Sequence, residues 1–227
     1  MLRNALFGAG ALTLIGAVGA LSYSAGVQQA NITTVAQPEM DGDMDPMMQA
    51  MMQAGTPGEH HKLLHATAGK WDARTNFMMQ PGEFEQGEGV MHAKPILGGR
   101  YMYASFESDF MGVPFEGVSI TGYDNLRQEY FSIWIDSMST GVMHMTGQME
   151  GDTLVLHGIA TMPEPMGEVE MKMETTHKDD NTIHDTFYKK MGGQWVKDGE
   201  ITYTRASGAD HDKHMKHEKR MPADHDG

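Results

Sequence analysis

From Gly69 to Arg205, apolar and polar residues alternate with a period of two, interrupted at short intervals by Gly, Pro, Asn and Asp. A period of two sends successive side chains to opposite faces of an extended chain, so it predicts strands. The cleanest run places Trp71, Ala73, Thr75, Phe77 and Met79 on one face and Lys70, Asp72, Arg74 and Asn76 on the other. Another places Val169, Met171 and Met173 against Glu168, Glu170, Lys172 and Glu174. Further runs cover roughly 84–94, 100–107, 115–122, 130–136, 142–149, 154–161, 183–189 and 194–205, with turn residues between them. The expected fold class is therefore all-β: an antiparallel up-and-down barrel of about ten strands.

Short helices precede the strands. Asp45-Pro46 opens one that carries Met47, Met48, Met51 and Met52 and ends at Gly55. Thr56-Pro57-Gly58-Glu59 reads as a capping box, with Thr56 as N-cap and Glu59 three residues on. The helix it opens carries Leu63 and Leu64 and stops at Gly69. Segments this short are marginal alone and need a surface to dock on, such as one mouth of a barrel. The expected organisation is an N-terminal targeting segment (1–30), a linker (31–44), capping helices (45–68), the barrel (69–205) and a disordered His-rich tail (206–227).

The targeting segment has Arg3 followed by 17 uncharged residues, Ala5 to Leu21, of which all but Thr13 are Ala, Leu, Ile, Val, Phe or Gly. Small residues at Ser22, Ser24, Ala25 and Gly26 offer a cleavage site. Extended to Val27, the same stretch is long enough to be an uncleaved inner-membrane anchor. Either way the chain is expected to be exported, periplasmic or extracellular. Net charge sharpens the picture. With 17 Lys+Arg against 31 Asp+Glu, the chain carries −14, which disfavours nucleic acid as a partner. It has no cysteine, which excludes disulfides, thiolate metal sites and a Cys nucleophile.

Candidate chemistry is sparse. Arg205 shares the apolar face of the last strand with Ile201 and Tyr203. It is expected to stack on Trp71 and close the barrel floor, a contact worth about 0.5–2 kcal/mol. Asp136 shares a face with Tyr130, Ser132 and Trp134. It reads either as a carboxylate in a pocket or, with Ser137, as the opening of a turn. His92, His144, His157, His177 and His184 follow no metal or triad spacing, whereas His61 and His65 stand four apart, as metal ligands on a helix can. The 23 methionines and the tail set His211, His214 and His217 allow weak copper or nickel binding. Read plainly, the methionines are helix-face and core-filling residues.

Several blocks carry a family resemblance: Thr56-Pro57-Gly58-Glu59-His60-His61, Gly69-Lys70-Trp71, Ile96-Leu97-Gly98-Gly99-Arg100-Tyr101 and Pro114-Phe115-Glu116-Gly117. Thr121-Gly122-Tyr123-Asp124-Asn125, Trp134-Ile135-Asp136-Ser137-Met138-Ser139-Thr140-Gly141 and Ile201-Thr202-Tyr203-Thr204-Arg205 complete the set. In this order, over residues 45–205, the chain resembles the bacterial domain-of-unknown-function family numbered 1579. The resemblance implies a lipocalin-like (calycin-type) barrel and no assigned activity. Nitrobindin-type haem barrels share Gly-x-Trp but continue with alternate glycines; here Asp72-Ala73-Arg74-Thr75 follows, so haem is disfavoured and no cofactor is expected.

The functional expectation is a non-catalytic barrel that holds a small apolar molecule in the cell envelope, with Phe77, Ile133, Trp134, Asp136, Met171, Met173 and Tyr203 lining the site. Met79 and Ile135 are expected on the same lining, in a largely apolar cavity with few polar groups, although the third, fifth and ninth runs carry large apolar groups on both faces, which leaves their inward face open. A barrel filled by its own side chains is the alternative architecture. An enzyme using Asp136 or a strand histidine as acid and base, and a Met/His metal handler, are the alternative functions.

Overall fold

The computed structural model describes residues 45–207 apart from Met111, and the backbone alone at Phe110. The targeting segment, the linker and the tail histidines lie outside the described residues. Two helices, α1 (Pro46–Ala54) and α2 (Glu59–His65), lead into ten strands. These are β1 (Gly69–Gln80), β2 (Glu83–Ile96), β3 (Tyr101–Phe110), β4 (Val113–Asp124), β5 (Glu129–Asp136), β6 (Met143–Glu150), β7 (Thr153–Met162), β8 (Gly167–Asp179), β9 (Thr182–Met191) and β10 (Gln194–Arg205). Each strand pairs antiparallel with its neighbour in sequence, and β10 returns to β1, closing the barrel with Trp71 opposite Arg205. Closure leaves no sheet edge among these strands.

The barrel has two unlike ends. β1 runs from a floor, where β10 also ends, towards a mouth formed by the β1–β2, β3–β4, β5–β6, β7–β8 and β9–β10 hairpins. Helix α2 packs on the floor against β3 and β4, burying Leu64 and His61. Its N-terminus differs from the sequence expectation. The N-cap is Gly58, and its N–H donates to His61 Nδ1 at 3.0 Å, while Thr56 Oγ1 turns back to donate to the Met52 carbonyl. An imidazole three residues into the helix satisfies the backbone donor that Glu59 was expected to serve.

Helix α1 starts as expected. Asp45 accepts from the N–H groups of Met47 and Met48, and Pro46 sits where its missing donor costs nothing. None of its residues is buried, and Met47, Met48 and Met51 are exposed. Its C-terminus is clasped by Asn125, whose side-chain N–H donates to the carbonyls of Ala54 and Thr56.

Strand alternation is obeyed on most walls, which places one core inside the barrel. The correction falls on β5. Tyr130, Ser132 and Trp134 are buried inward, so Ile133 points outward and Ile135, 47 % exposed, lies on the outer face with it. Ile120 stands opposite Ile133 and Val118 opposite Ile135, so the outer wall here is itself apolar. That pattern is what made both faces of this strand read as core.

Candidate functional site

The floor is built from directional contacts. The Arg205 guanidinium lies 4.1 Å from the Trp71 ring centroid. It donates to the carbonyls of Ala66, Ala68 and Asp180, and the Trp71 indole N–H donates to the Thr67 carbonyl at 2.8 Å. Gly69 is required here: its φ is +131°, and a Cβ would stand 2.7 Å from Arg205 Nη1. On the opposite side of the floor, His60 stacks on Tyr123 at 3.9 Å, and its Nδ1 lies 2.7 Å from the Tyr130 hydroxyl. Tyr130 is fully buried, and burial pushes its phenol up to about 12. His65 Nε2 pairs with the Gly99 carbonyl. With His61 Nδ1 accepting from Gly58, the His61/His65 pair is occupied by the fold. Among the described residues, no group of three or more His, Asp or Glu is arranged to hold a metal ion.

The mouth is built from rings and methionines. Trp134 lies nearly parallel to Phe115 with centroids 6.4 Å apart, and Phe106 meets Phe115 edge-on at 6.2 Å. The rings lie along the wall rather than across the lumen, because small residues on neighbouring strands leave them room. A Cβ at Gly117 would collide with the Trp134 ring, one at Gly199 with Phe77, and one at Gly89 with Phe106. Asp136 sits at this rim with both oxygens engaged: Oδ2 accepts from the Trp134 indole N–H and Oδ1 from the Met138 N–H. It opens the β5–β6 turn and fixes the indole at the same time.

Between floor and mouth the interior is packed with adaptable side chains. Seven methionines are buried: Met91, Met102, Met143, Met145, Met162, Met171 and Met173. Phe77 and Tyr203 join them, while Met79 is only half-buried at the rim. Of the residues expected to line the site, Phe77, Trp134, Met171, Met173 and Tyr203 are thus brought into one interior. Asp136 is at its edge, and Ile133 is outside it.

The interior is more polar than the sequence suggested. Asp185 is fully buried on β9 between Ile183 and Phe187, on the inward face. Its Oδ1 accepts from Thr175 Oγ1 at 2.6 Å, and Oδ2 has no hydrogen-bond partner among the described residues. Burial pushes its carboxyl up to about 8, with the Thr175 bond opposing only in part, so it is protonated at neutral pH. Asp198 is buried near the mouth, 2.7 Å from Lys189 Nζ, an ion-pair distance off the hydrogen-bonding direction. A register shift between Lys197 and Gly199 turns Asp198 inward, and no alternation rule predicts that. On the far wall the Thr121 and Ser132 hydroxyls lie 3.1 Å apart. Asp185 was legible in principle, as the lone acid on the Ile183-x-Asp185-x-Phe187 face.

A polar cleft of about 520 Å³ on the outer wall of β1, β2 and β10 is lined by Arg74, Asn76, Gln86, Glu88, Glu200 and Thr202, among others. Of the strand histidines, His92, His144 and His157 are exposed and His184 bonds Thr202 on the outer face, whereas His177, two residues beyond Thr175 on β8, has a buried Nε2.

Ten sequential antiparallel strands closed on themselves, with a helix over one end, define a lipocalin-like β-barrel. The chain belongs to the family described as "Protein of unknown function (DUF1579)", whose model matches residues 56–205. None of the curated proteins compared matches it. Among solved structures it is similar to the S-type phycobiliprotein lyase CPES from Guillardia theta, with 12 % identity and a TM-score of 0.43 over 63 % of this chain and 89 % of that one. It is also similar to Rv2717c from M. tuberculosis, with 12 % identity and a TM-score of 0.46 over 73 % of this chain and 100 % of that one.

Proposed function

We propose that this protein is a non-catalytic binder of a small, largely apolar molecule, held inside the barrel and admitted at the mouth. The observation that supports it is the methionine interior. An unbranched thioether chain has three rotatable bonds and repacks at low cost, whereas Leu, Ile and Val hold fixed shapes. A wall of seven buried methionines can fill its own lumen when empty and yield that volume to a guest. The sealed floor leaves the mouth as the route in. Asp136 serves the turn and the Trp134 indole, which accounts for its place at the rim. The uncharged stretch after Arg3 supports export, which puts this binding in the cell envelope.

A naphthalene or fatty-acyl fluorescent probe is expected to bind in the micromolar range, about −8 kcal/mol, and to be displaced by host lipid extract. Failure of such a panel to bind would remove the reading. For export, the expected mature N-terminus lies between Ser24 and Asn31; recovery of Met1 from soluble cytosolic protein would count against it.

A further inference from the structure

Among the described residues, the barrel interior holds a carboxyl oxygen that the fold does not use up. Asp185 is 0 % exposed, and only one of its two oxygens is engaged, by Thr175. Leaving a buried polar atom unpaired costs roughly 1–3 kcal/mol, so a group in this state marks either a structural defect or a partner that arrives later. Resting on the interior-binding reading above, we propose that Asp185, oriented by Thr175, is the polar anchor for the ligand's head, and that this head is an uncharged hydrogen-bond acceptor such as a ketone, amide or quinone carbonyl.

Three observations converge on that class. First, the carboxyl is a donor. With Oδ1 accepting from Thr175, the proton of the neutral acid sits on Oδ2 and needs an acceptor. Second, Lys189 and Arg205 offer an anionic head no free counter-charge. Lys189, four residues along β9, is committed to Asp198, and Arg205 is bound to floor carbonyls. The other titratable groups near Asp185 are Tyr203 on β10, whose phenol is pushed far up by burial and then by Asp185, and His177, two residues beyond Thr175 on β8. An unpaired carboxylate buried there is strongly penalised. Third, the approach is apolar. Met171 and Met173 stand in line with Thr175 on the inward face of β8, between it and the mouth. An apolar tail takes the volume of these methionines while the head reaches Asp185.

The test uses two neutral naphthalene probes of matched size, one carrying a ketone whose emission reports hydrogen bonding and one without it. Near pH 6 the wild type is expected to bind the ketone probe with the hydrogen-bonded emission, and to bind it about tenfold more weakly above about pH 9, where Asp185 is ionised. Asp185→Asn keeps an N–H donor and no titration, so its affinity should be flat across that range. Asp185→Leu should weaken the ketone probe about tenfold relative to the ketone-free probe. Wild-type affinity in Asp185→Leu, or the same pH profile in the wild type and Asp185→Asn, overturns the anchor while leaving the binding reading standing. If Asp185→Leu does not fold, the Asn comparison decides alone. Failure of both probes to bind the wild type ends the binding reading, and the anchor with it.

Discussion

The two ends of the barrel are stabilised by different physics. At the floor, Arg205, Trp71, His60, His61 and His65 meet named partners through directional bonds, and most of these reach carbonyls outside the barrel strands. At the mouth, Phe115 packs against Trp134 and Phe106 beside the buried Met143 and Met162, with the Trp134–Asp136 hydrogen bond and the Lys189–Asp198 ion pair as the polar contacts. Directional bonds specify one arrangement and lose heavily when a partner is removed. Dispersion contacts among rings and thioethers tolerate rearrangement. One end is thus built to hold register and the other to adapt.

The largest expected break in this contrast is Trp71→Ala, a buried large-to-small change that should cost ~3–5 kcal/mol in denaturant unfolding. A loss below ~1 kcal/mol would show that the floor does not carry the stability assigned to it. Next comes pH. Asp185 has an ordinary value of 3.8 and is held up to about 8 when folded. Between those values the folded chain keeps a proton that the unfolded chain releases. Stability should therefore fall as pH rises from about 4 to about 8, by roughly 1 kcal/mol per unit at the steepest, and flatten above. Asp185→Asn should remove that slope; an unchanged slope in urea titrations would place the titration elsewhere.

Arg205→Ala should cost ~2–3 kcal/mol, because it strands the Ala66 and Ala68 carbonyls. It should be non-additive with Trp71→Ala in a double-mutant cycle. Gly117→Ala, at the mouth, should cost ~1–3 kcal/mol by displacing the Trp134 ring, read as a shift in indole fluorescence. Smallest is Met143→Leu, under ~1.5 kcal/mol for stability. If the mouth is the adaptable end, this change should weaken probe binding more than it weakens the fold.

Much of this was legible in the alternation of β1 and β8, whose polar faces carry charges that cannot be buried. β5 was not legible, because Ile133 and Ile135 on one face compete with Tyr130, Ser132 and Trp134 on the other. An apolar outer wall erases the signal by which the inner face is recognised. The Thr56 cap failed for a different reason. Thr, Glu and His can all satisfy helix-end donors, and which one does so depends on how α2 seats on the floor. Asp198 was hidden by a register shift, which alternation cannot register. Asp185 was written in the sequence but went unread, since one acid among apolar residues looks like a parity error until its burial is known.

The Trp71–Arg205 register has a consequence in time. The first strand's second partner is the last strand, so during synthesis β1 exists before β10 does. Until Arg205 follows, β1 offers a row of unpaired backbone groups to any neighbouring chain, and closure must wait for the most distant contact in the domain. Lys70, Asp72 and Arg74 are exposed on its outer face. On the unfinished barrel, they put charge along an edge that has not yet met its partner.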